Sequence, residues 1–460
     1  MFKKFVVFML MLVFTTPVHA NSAQTWFTGS DASGVVMTGE SSPLVVESEK
    51  LVFEINDLPQ NYSSIDDFLT YDSSVSAEYQ IYNPSSLTIE ARLLFPFGTN
   101  PSYVYIYDEA EQKCFQNVDT DKYKVMVDHK EIQKILRHTF KLEYEDFSLK
   151  KDLNLLVDGC KNDDFYKRDL NVIKLTYHID GIDTQTFSSA YASMEFMNHS
   201  KNTRIYMKQL NGYSLSGDNV QMGLFVNDSQ DVEVYIIGDS LENDFKWYVY
   251  EDAQKEKQIA GNVTLVSSET MTFEDLAMSE YHAESHVLAT DWYNAIIDML
   301  NYYNNQSIII HVEKSLDISD ELMRWYDYTI EVEPETTIIN TVVAPLYPSI
   351  DTSYDSPIYE YTYLLSPAKK WKTFNNLDIK IYTDCYLQEN SIGSFSQVDN
   401  GYFCTLDNLP QSELQFKLCK DKNPTKTSKS HFITQQLPFI IVVGCLVIGV
   451  IVIVKKGKKQ

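Results

Sequence analysis

Few residues in this chain fall into patterns that could carry chemistry. Asn117-Val118-Asp119-Thr120-Asp121 places oxygen ligands at alternate positions, as calcium loops do, so Asn117, Asp119 and Asp121 are candidate calcium ligands. The run lacks the glycine and distal glutamate of an EF-hand, which favours an ordinary acidic turn. His282 and His286 are four apart with Glu284 between them. On a helix starting near Thr272 they would share a face and could grip a divalent metal. A third ligand is missing from the neighbourhood, and a solvated helix face is the simpler expectation. HExxH is absent, and so are GxSxG and any glycine-rich phosphate loop. No catalytic residue and no cofactor are therefore assigned. Carboxylates are abundant, so a hydrolytic acid pair could form in three dimensions, but abundance alone does not single one out.

Six cysteines exclude a dense disulfide framework. Cys385 and Cys404 flank one loop between neighbouring strands and are the expected bridge. No CxxC or Cys/His spacing suggests structural zinc. The charge is −26, and near −32 once the six lysines at the two ends are set aside. Nucleic acid and anionic surfaces are poor partners for such a chain. Thirty-one tyrosines exceed the needs of a core this size, and part of them suits protein or glycan recognition. Asn-x-Ser/Thr sites at Asn61, Asn198, Asn227, Asn262 and Asn305 are read as chance.

The ends carry topology signals. Lys3 and Lys4 precede an apolar run to Phe14, and Val18-His19-Ala20 offers small residues for cleavage after Ala20, the pattern of a signal peptide. Leu437–Val454 holds no charge and is followed by Lys455, Lys456, Lys458 and Lys459. As a helix it would rise about 27 Å, close to the ~30 Å hydrocarbon core, with the lysines on the cytoplasmic side. No sorting motif of the LPxTG kind precedes it. The expectation is a single-pass protein of the cell membrane, N-terminus outside and C-terminus in the cytoplasm, with no nucleic-acid partner.

Between the ends, alternation of period two recurs. Val75–Tyr82 and Leu87–Phe95 flank the turn Asn83-Pro84-Ser85-Ser86. Ile173 to Ile179 alternate and stop at Asp180-Gly181. Val220–Val226 and Val232–Ile237 read as a hairpin. Thr272 and Asp275 approximate a capping box. Trp292, Ala295, Ile296, Met299, Leu300 and Tyr303 form a helical stripe that should pack on the chain's own sheets, with Asp291, Asn294, Asp298 and Asn301 opposite. A short helix is expected from Asp320 to Trp325, capped by Ser319. The fold class expected is mainly β with a helical segment (α+β): an N-terminal β-rich domain over 21–265, helices over 266–325, an Ig-like β-sandwich over 326–419, a stalk over 420–436, the span and a six-residue tail.

Ala77-Glu78-Tyr79, Tyr82-Asn83-Pro84 and Leu94-Phe95-Pro96-Phe97 resemble the start of the vault/inter-alpha-trypsin module, and Val125-Met126-Val127-Asp128-His129-Lys130 is similar to its following hairpin, with His129 where glycine is usual. Leu322-Met323-Arg324-Trp325-Tyr326, Ala344-Pro345-Leu346-Tyr347-Pro348 and Tyr361 to Ala368 with Trp371 resemble uncharacterised single-pass surface proteins of Gram-positive bacteria, a domain of unknown function. That resemblance implies location and architecture, not chemistry. The reading that follows is an ectodomain that binds another surface molecule or organises the envelope. The alternative is a cell-envelope hydrolase using unmarked acidic residues.

Overall fold

The computed structural model describes residues 25–427, apart from 39–42, 61–69, 100, 105–106, 109–112, 115–119, 142–146, 184, 188, 228, 242–244, 284–285, 311–315 and 372. The chain is mainly β. Among the described residues its α-helices are α1 (Leu149–Leu155), α2 (Phe273–Ala277) and α3 (Ala289–Tyr302). None is long and apolar enough to cross a membrane. The expected span Leu437–Val454 lies outside the described residues, as do Ala20, Lys455, Lys456, Lys458, Lys459 and most of the expected stalk. A transmembrane helix and membrane anchoring thus have no support in the structure and are dropped.

The β regions are not consecutive domains, which corrects the expected fold class. Thr337–Pro345 pairs along its whole length with Ser74–Tyr82, and Phe374–Tyr382 runs parallel to Val45–Glu54. Strands from both ends of the chain thus form one eight-stranded sheet. A second sheet, built on Ile358–Leu364 and Leu414–Cys419, packs against it, and the two share a core that includes Phe53, Tyr79, Tyr363 and Phe416. A separate Ig-like sandwich over 326–419 does not exist. Alternation marks a residue stretch as strand, but partner choice is a long-range matter that the period does not encode.

The middle of the chain is an insertion. Ile135–Phe140 and Leu322–Val332 are antiparallel neighbours, with Phe140 opposite Leu322. Between them the chain builds a sandwich of its own. One layer is a six-stranded sheet containing Asn171–Asp180, Gln230–Gly238 and Asn262–Thr272. The other is a four-stranded sheet containing Ala190–Met197, Asn219–Val226 and Lys246–Tyr250. Their facing side chains form a second core with Ile179, Met194, Met222 and Val234. The outer face of the six-stranded layer packs on α2 and α3 through Val172, Tyr206 and Ile237.

The expected hairpin and the strand pair around the turn at Asn83 both prove to be crossings between layers. Asn219–Val226 and Gln230–Gly238 lie in opposite layers of the inserted sandwich, and Ser74–Tyr82 and Ile89–Pro96 lie in different sheets. The second crossing is held by Asn83, which is fully buried. Its amide nitrogen donates to the carbonyls of Leu87, Val332 and Glu333 at 2.8, 2.9 and 3.2 Å, and its oxygen accepts from the backbone of Ser85 at 3.0 Å. One side chain therefore ties its own arch to the neighbouring arch at 332–337. Asn83→Ala strands these carbonyls and is expected to cost about 2 kcal/mol, measured as a drop in the urea midpoint. A shift within error would show that the backbone holds the arches unaided.

Local sequence signals are met where they are short-range. Thr272 caps α2, its hydroxyl accepting from the Asp275 N–H at 3.1 Å while the Asp275 carboxylate accepts from the Thr272 N–H at 2.9 Å. Asp128 and His129 both have positive φ, 49° and 64°, the geometry of a type I′ turn. The stripe of α3 is packed inside. Its opposite face is covered toward the N-terminal end, where Asp291 and Asn294 are buried, while Asn301 is exposed. The helix expected over Asp320 to Trp325 is instead a single 3₁₀ turn, Ser319–Glu321, leading into the strand Leu322–Val332.

Candidate binding groove and buried polar clusters

The inserted sandwich is open along one side. Its two layers end there in Lys246–Tyr250 and Asn262–Thr272, consecutive strands that sit at the edges of different sheets. Between these edges lies a cavity of about 740 Å³ whose wall includes Leu175, Tyr177, Trp247, Val249, Val263 and Leu265. The Tyr177 and Trp247 rings meet at 5.1 Å between centroids. At Gly261 a side chain would collide with Val249, 2.9 Å from the position of a β-carbon, so glycine keeps this corner open. No lining side chain carries a formal charge, in a chain that is 22% Asp, Glu, Lys and Arg.

The edge strand Asn262–Thr272 pairs with Asn171–Asp180 on one side. The register slips so that Thr176 faces Ser267 and Tyr177 faces Leu265, leaving Val266 as a bulge. Leu265, which lines the cavity, and Val266 are 50% and 61% exposed. The strand carries no lysine, arginine or proline, the usual guards of a free edge, and a single charge, Glu269. An uncharged trough with both apolar and polar lining, beside an unguarded ladder of backbone groups, can accept an extended segment of another chain.

Two buried polar clusters bring ionisable side chains together. In the first, Arg137 donates to Asp291 on the first turn of α3 through Nε at 3.1 Å and Nη2 at 2.9 Å. The second Asp291 oxygen accepts the His138 backbone N–H at 2.9 Å. Arg137 also reaches Asp327 at 3.4 Å, and Arg92 binds Asp327 at 2.8 Å through Nε and Asp158 through both terminal nitrogens. Guanidinium groups occupy these carboxylates. This is the geometry of a bolt between α3 and the Ile135–Phe140 and Leu322–Val332 strands, not of an acid and a base facing substrate. Burial, together with Arg324 and Arg137 close by, lowers the His138 imidazole to about 3, so it stays neutral.

The second cluster lies between the two sheets of the main core. Tyr363 Oη donates to Glu49 Oε1 at 3.1 Å, Tyr79 Oη lies 3.3 Å from Tyr363 Oη, and Val35 N–H donates to Tyr79 at 3.1 Å. Burial raises the Glu49 carboxyl to about 7, against the lowering effect of the tyrosine hydroxyls. A carboxyl poised there would suit acid–base work. At 1% exposure, with Tyr79 and Tyr363 equally enclosed, it is sealed from substrate.

The residues singled out in the sequence do not assemble into a site. Asn117 and Asp119 lie outside the described residues, and Asp121 is exposed on a 3₁₀ turn. His282 and His286 sit in the loop after α2, which ends at Ala277, so they share no helix face; Glu284 is outside the described residues. Among the described residues no group of three or more His, Cys, Asp or Glu is placed to hold a metal. Cys385 and Cys404 carry free thiols. Cys404 faces Ile379 across the ladder, while Cys385 lies beyond the end of that strand. The groove and both polar clusters were missed. Glu49 did leave a signal: it shares parity with Leu51 and Phe53, the inward face of its strand.

The fold and groove define a mainly β protein built from one composite sandwich and one inserted sandwich. No family model matches the chain, and neither does any curated protein. Among solved structures, the chain is similar to a Legionella pneumophila protein proposed to bind nutrients, at 9% identity over 86% of this chain and 72% of that one, with a TM-score of 0.34. At that score the similarity carries no argument.

Proposed function

We propose that this chain is a non-enzymatic binding protein acting outside the cytoplasm, and that the open side of its inserted sandwich receives an extended, uncharged segment of a protein partner. The observation that carries the reading is the uncharged cavity beside an unguarded edge strand. The partner's backbone would extend the sheet beyond Asn262–Thr272, and alternate side chains would enter the cavity past Leu265. The export pattern ending at Ala20 supports the location. The hydrolase alternative has less support, because the carboxylates brought together at Asp291 and Asp327 are tied to arginines and Glu49 is enclosed.

The test is an immobilised library of uncharged ten-residue peptides probed with the full chain. Apolar sequences with alternating small polar residues are expected to be retained. Leu265→Asp, at a half-exposed position, should leave the melting temperature unchanged and weaken retention at least tenfold, about 1.4 kcal/mol. Equal binding by the variant, or no retained peptide, would refute the proposal. Turnover of cell-wall glycans or peptides by the same preparation, abolished by one Asp or Glu substitution, would favour the hydrolase.

A further inference from the structure

A second concavity, of about 390 Å³, lies on the outer face of the sheet built on Ile358–Leu364 and Leu414–Cys419. Its floor follows the ladder. Trp26 is in register with Asp351, which is in register with Ile358 on the next strand. Lys417 stands opposite Glu360 and lies 3.6 Å from it and 3.0 Å from Glu389. One wall is the segment at 422–424. It is fixed by the Asp355 N–H donating to the Thr425 carbonyl at 3.0 Å, by the Thr425 N–H donating to the Asp355 carboxylate at 2.8 Å, and by Lys426 over the Tyr354 ring at 5.5 Å. Gln388 closes the far side, its amide donating to the Asp421 carbonyl at 3.1 Å.

Three properties coincide here. Trp26 is 45% exposed, and an indole left that open at the rim of a concavity offers an apolar platform with a polar edge. Carboxylate, amide and ammonium groups converge around it, able to accept and donate several hydrogen bonds at once. The ammonium of Lys417 is engaged by two carboxylates, and Lys422 lines the same concavity as Asp351, so three carboxylates meet two ammonium groups, little net charge remains and no strong field selects an ion. A ligand matched to all three has an apolar face of C–H groups and a rim of neutral hydroxyls. We propose that this concavity is a binding site for a neutral saccharide, one sugar face lying on Trp26 and its hydroxyls bonding to Asp351, Gln388 and Glu389. The cavity falls in the size range of small-molecule sites. The site is independent of the groove in the inserted sandwich.

The test titrates the full chain with neutral hexasaccharides (cellohexaose, maltohexaose, xylohexaose and chitohexaose), following tryptophan fluorescence and heat, with polylysine as a separate arm. At least one saccharide is expected to bind. Trp26→Ala and Asp351→Asn should each weaken that binding at least tenfold, with unchanged melting temperatures, while Leu265→Asp should leave it intact. If no saccharide binds at millimolar concentration, if both site variants bind like the parent chain, or if polylysine alone binds, the proposal is overturned.

Discussion

Glu49→Gln is expected to stabilise the protein at pH 8 and to change little at pH 4. In the folded chain burial holds the Glu49 carboxyl at about 7, whereas in the unfolded chain it titrates near the ordinary 4.5. Below pH 4.5 both states are protonated and the group contributes no penalty. As the pH rises from 4.5 to 7 the unfolded chain releases the proton while the folded chain retains it, so stability falls. Above 7 the loss is complete. A shift of this size corresponds to about 3 kcal/mol. Glutamine mimics the protonated acid in shape, keeps an acceptor for Tyr363 Oη and has no proton to lose. Denaturant midpoints measured from pH 4 to 8 should therefore decline for the parent chain across this window and decline less for the variant. Parallel profiles would show that the carboxyl finds compensation elsewhere. The arrangement also explains why a glutamate is tolerated between the sheets, since near neutral pH it can remain protonated and link Val45–Glu54 to Ile358–Leu364 through Tyr363.

The second large effect is expected at Asp291. Asp291→Ala removes the main partner of Arg137, a guanidinium with a side chain only 7% exposed, and the acceptor of the His138 N–H. Removing one member of a buried pair leaves an uncompensated charge and costs about 3–5 kcal/mol. Asp327 and Asp158, at 3.4 and 3.3 Å from the same guanidinium, moderate the loss toward the lower end. Replacing both partners with apolar residues, Arg137→Met with Asp291→Leu, should recover most of the stability, because the cost lies in the stranded charge and not in the absence of the pair. Urea unfolding of the two variants against the parent measures this. A loss under 1 kcal/mol for the single variant would show that α3 is held by its apolar stripe alone. The pair also joins the inserted unit to the strands that bracket it, so the single variant should loosen α3 before the main core, read as earlier amide exchange along α3 than along Ser74–Tyr82.

The hexasaccharide and peptide experiments address two sites at opposite places in the topology. One lies on the sheet that closes the composite sandwich, the other at the free edges of the insertion. Their variants are chosen at exposed or half-buried positions, so loss of binding can be separated from loss of fold. Asn83→Ala, by contrast, acts purely on the architecture.

Local information was legible where a short stretch of chain contains both partners of an interaction. The capping box at Thr272 and Asp275, the turn at Asp128-His129 and the buried stripe of α3 all follow from residues within four positions of each other. The same reasoning failed on Asp320 to Trp325, where the sheet position between Ile135–Phe140 and Ile89–Pro96 overrides any local helical preference. It left the surroundings of the polar face of α3 open, because Asp291 meets an arginine 154 positions earlier. It failed on the expected hairpin because a turn between two strands does not say whether they share a sheet or cross to the next layer.

The sequence by itself determined that this chain is mostly strand, which stretches alternate, where α2 and α3 lie, and that it carries a strong net negative charge. The tertiary structure alone decided that Val45–Glu54 and Phe374–Tyr382 are neighbours, that residues between Phe140 and Leu322 form an insertion, and that Trp247 and Leu265 line one cavity while Trp26 and Asp351 line another. The physical reason is range. Side-chain periodicity and capping are set by backbone geometry over a few residues, whereas strand pairing and the walls of a groove depend on contacts between segments hundreds of positions apart, which nothing in a local pattern records.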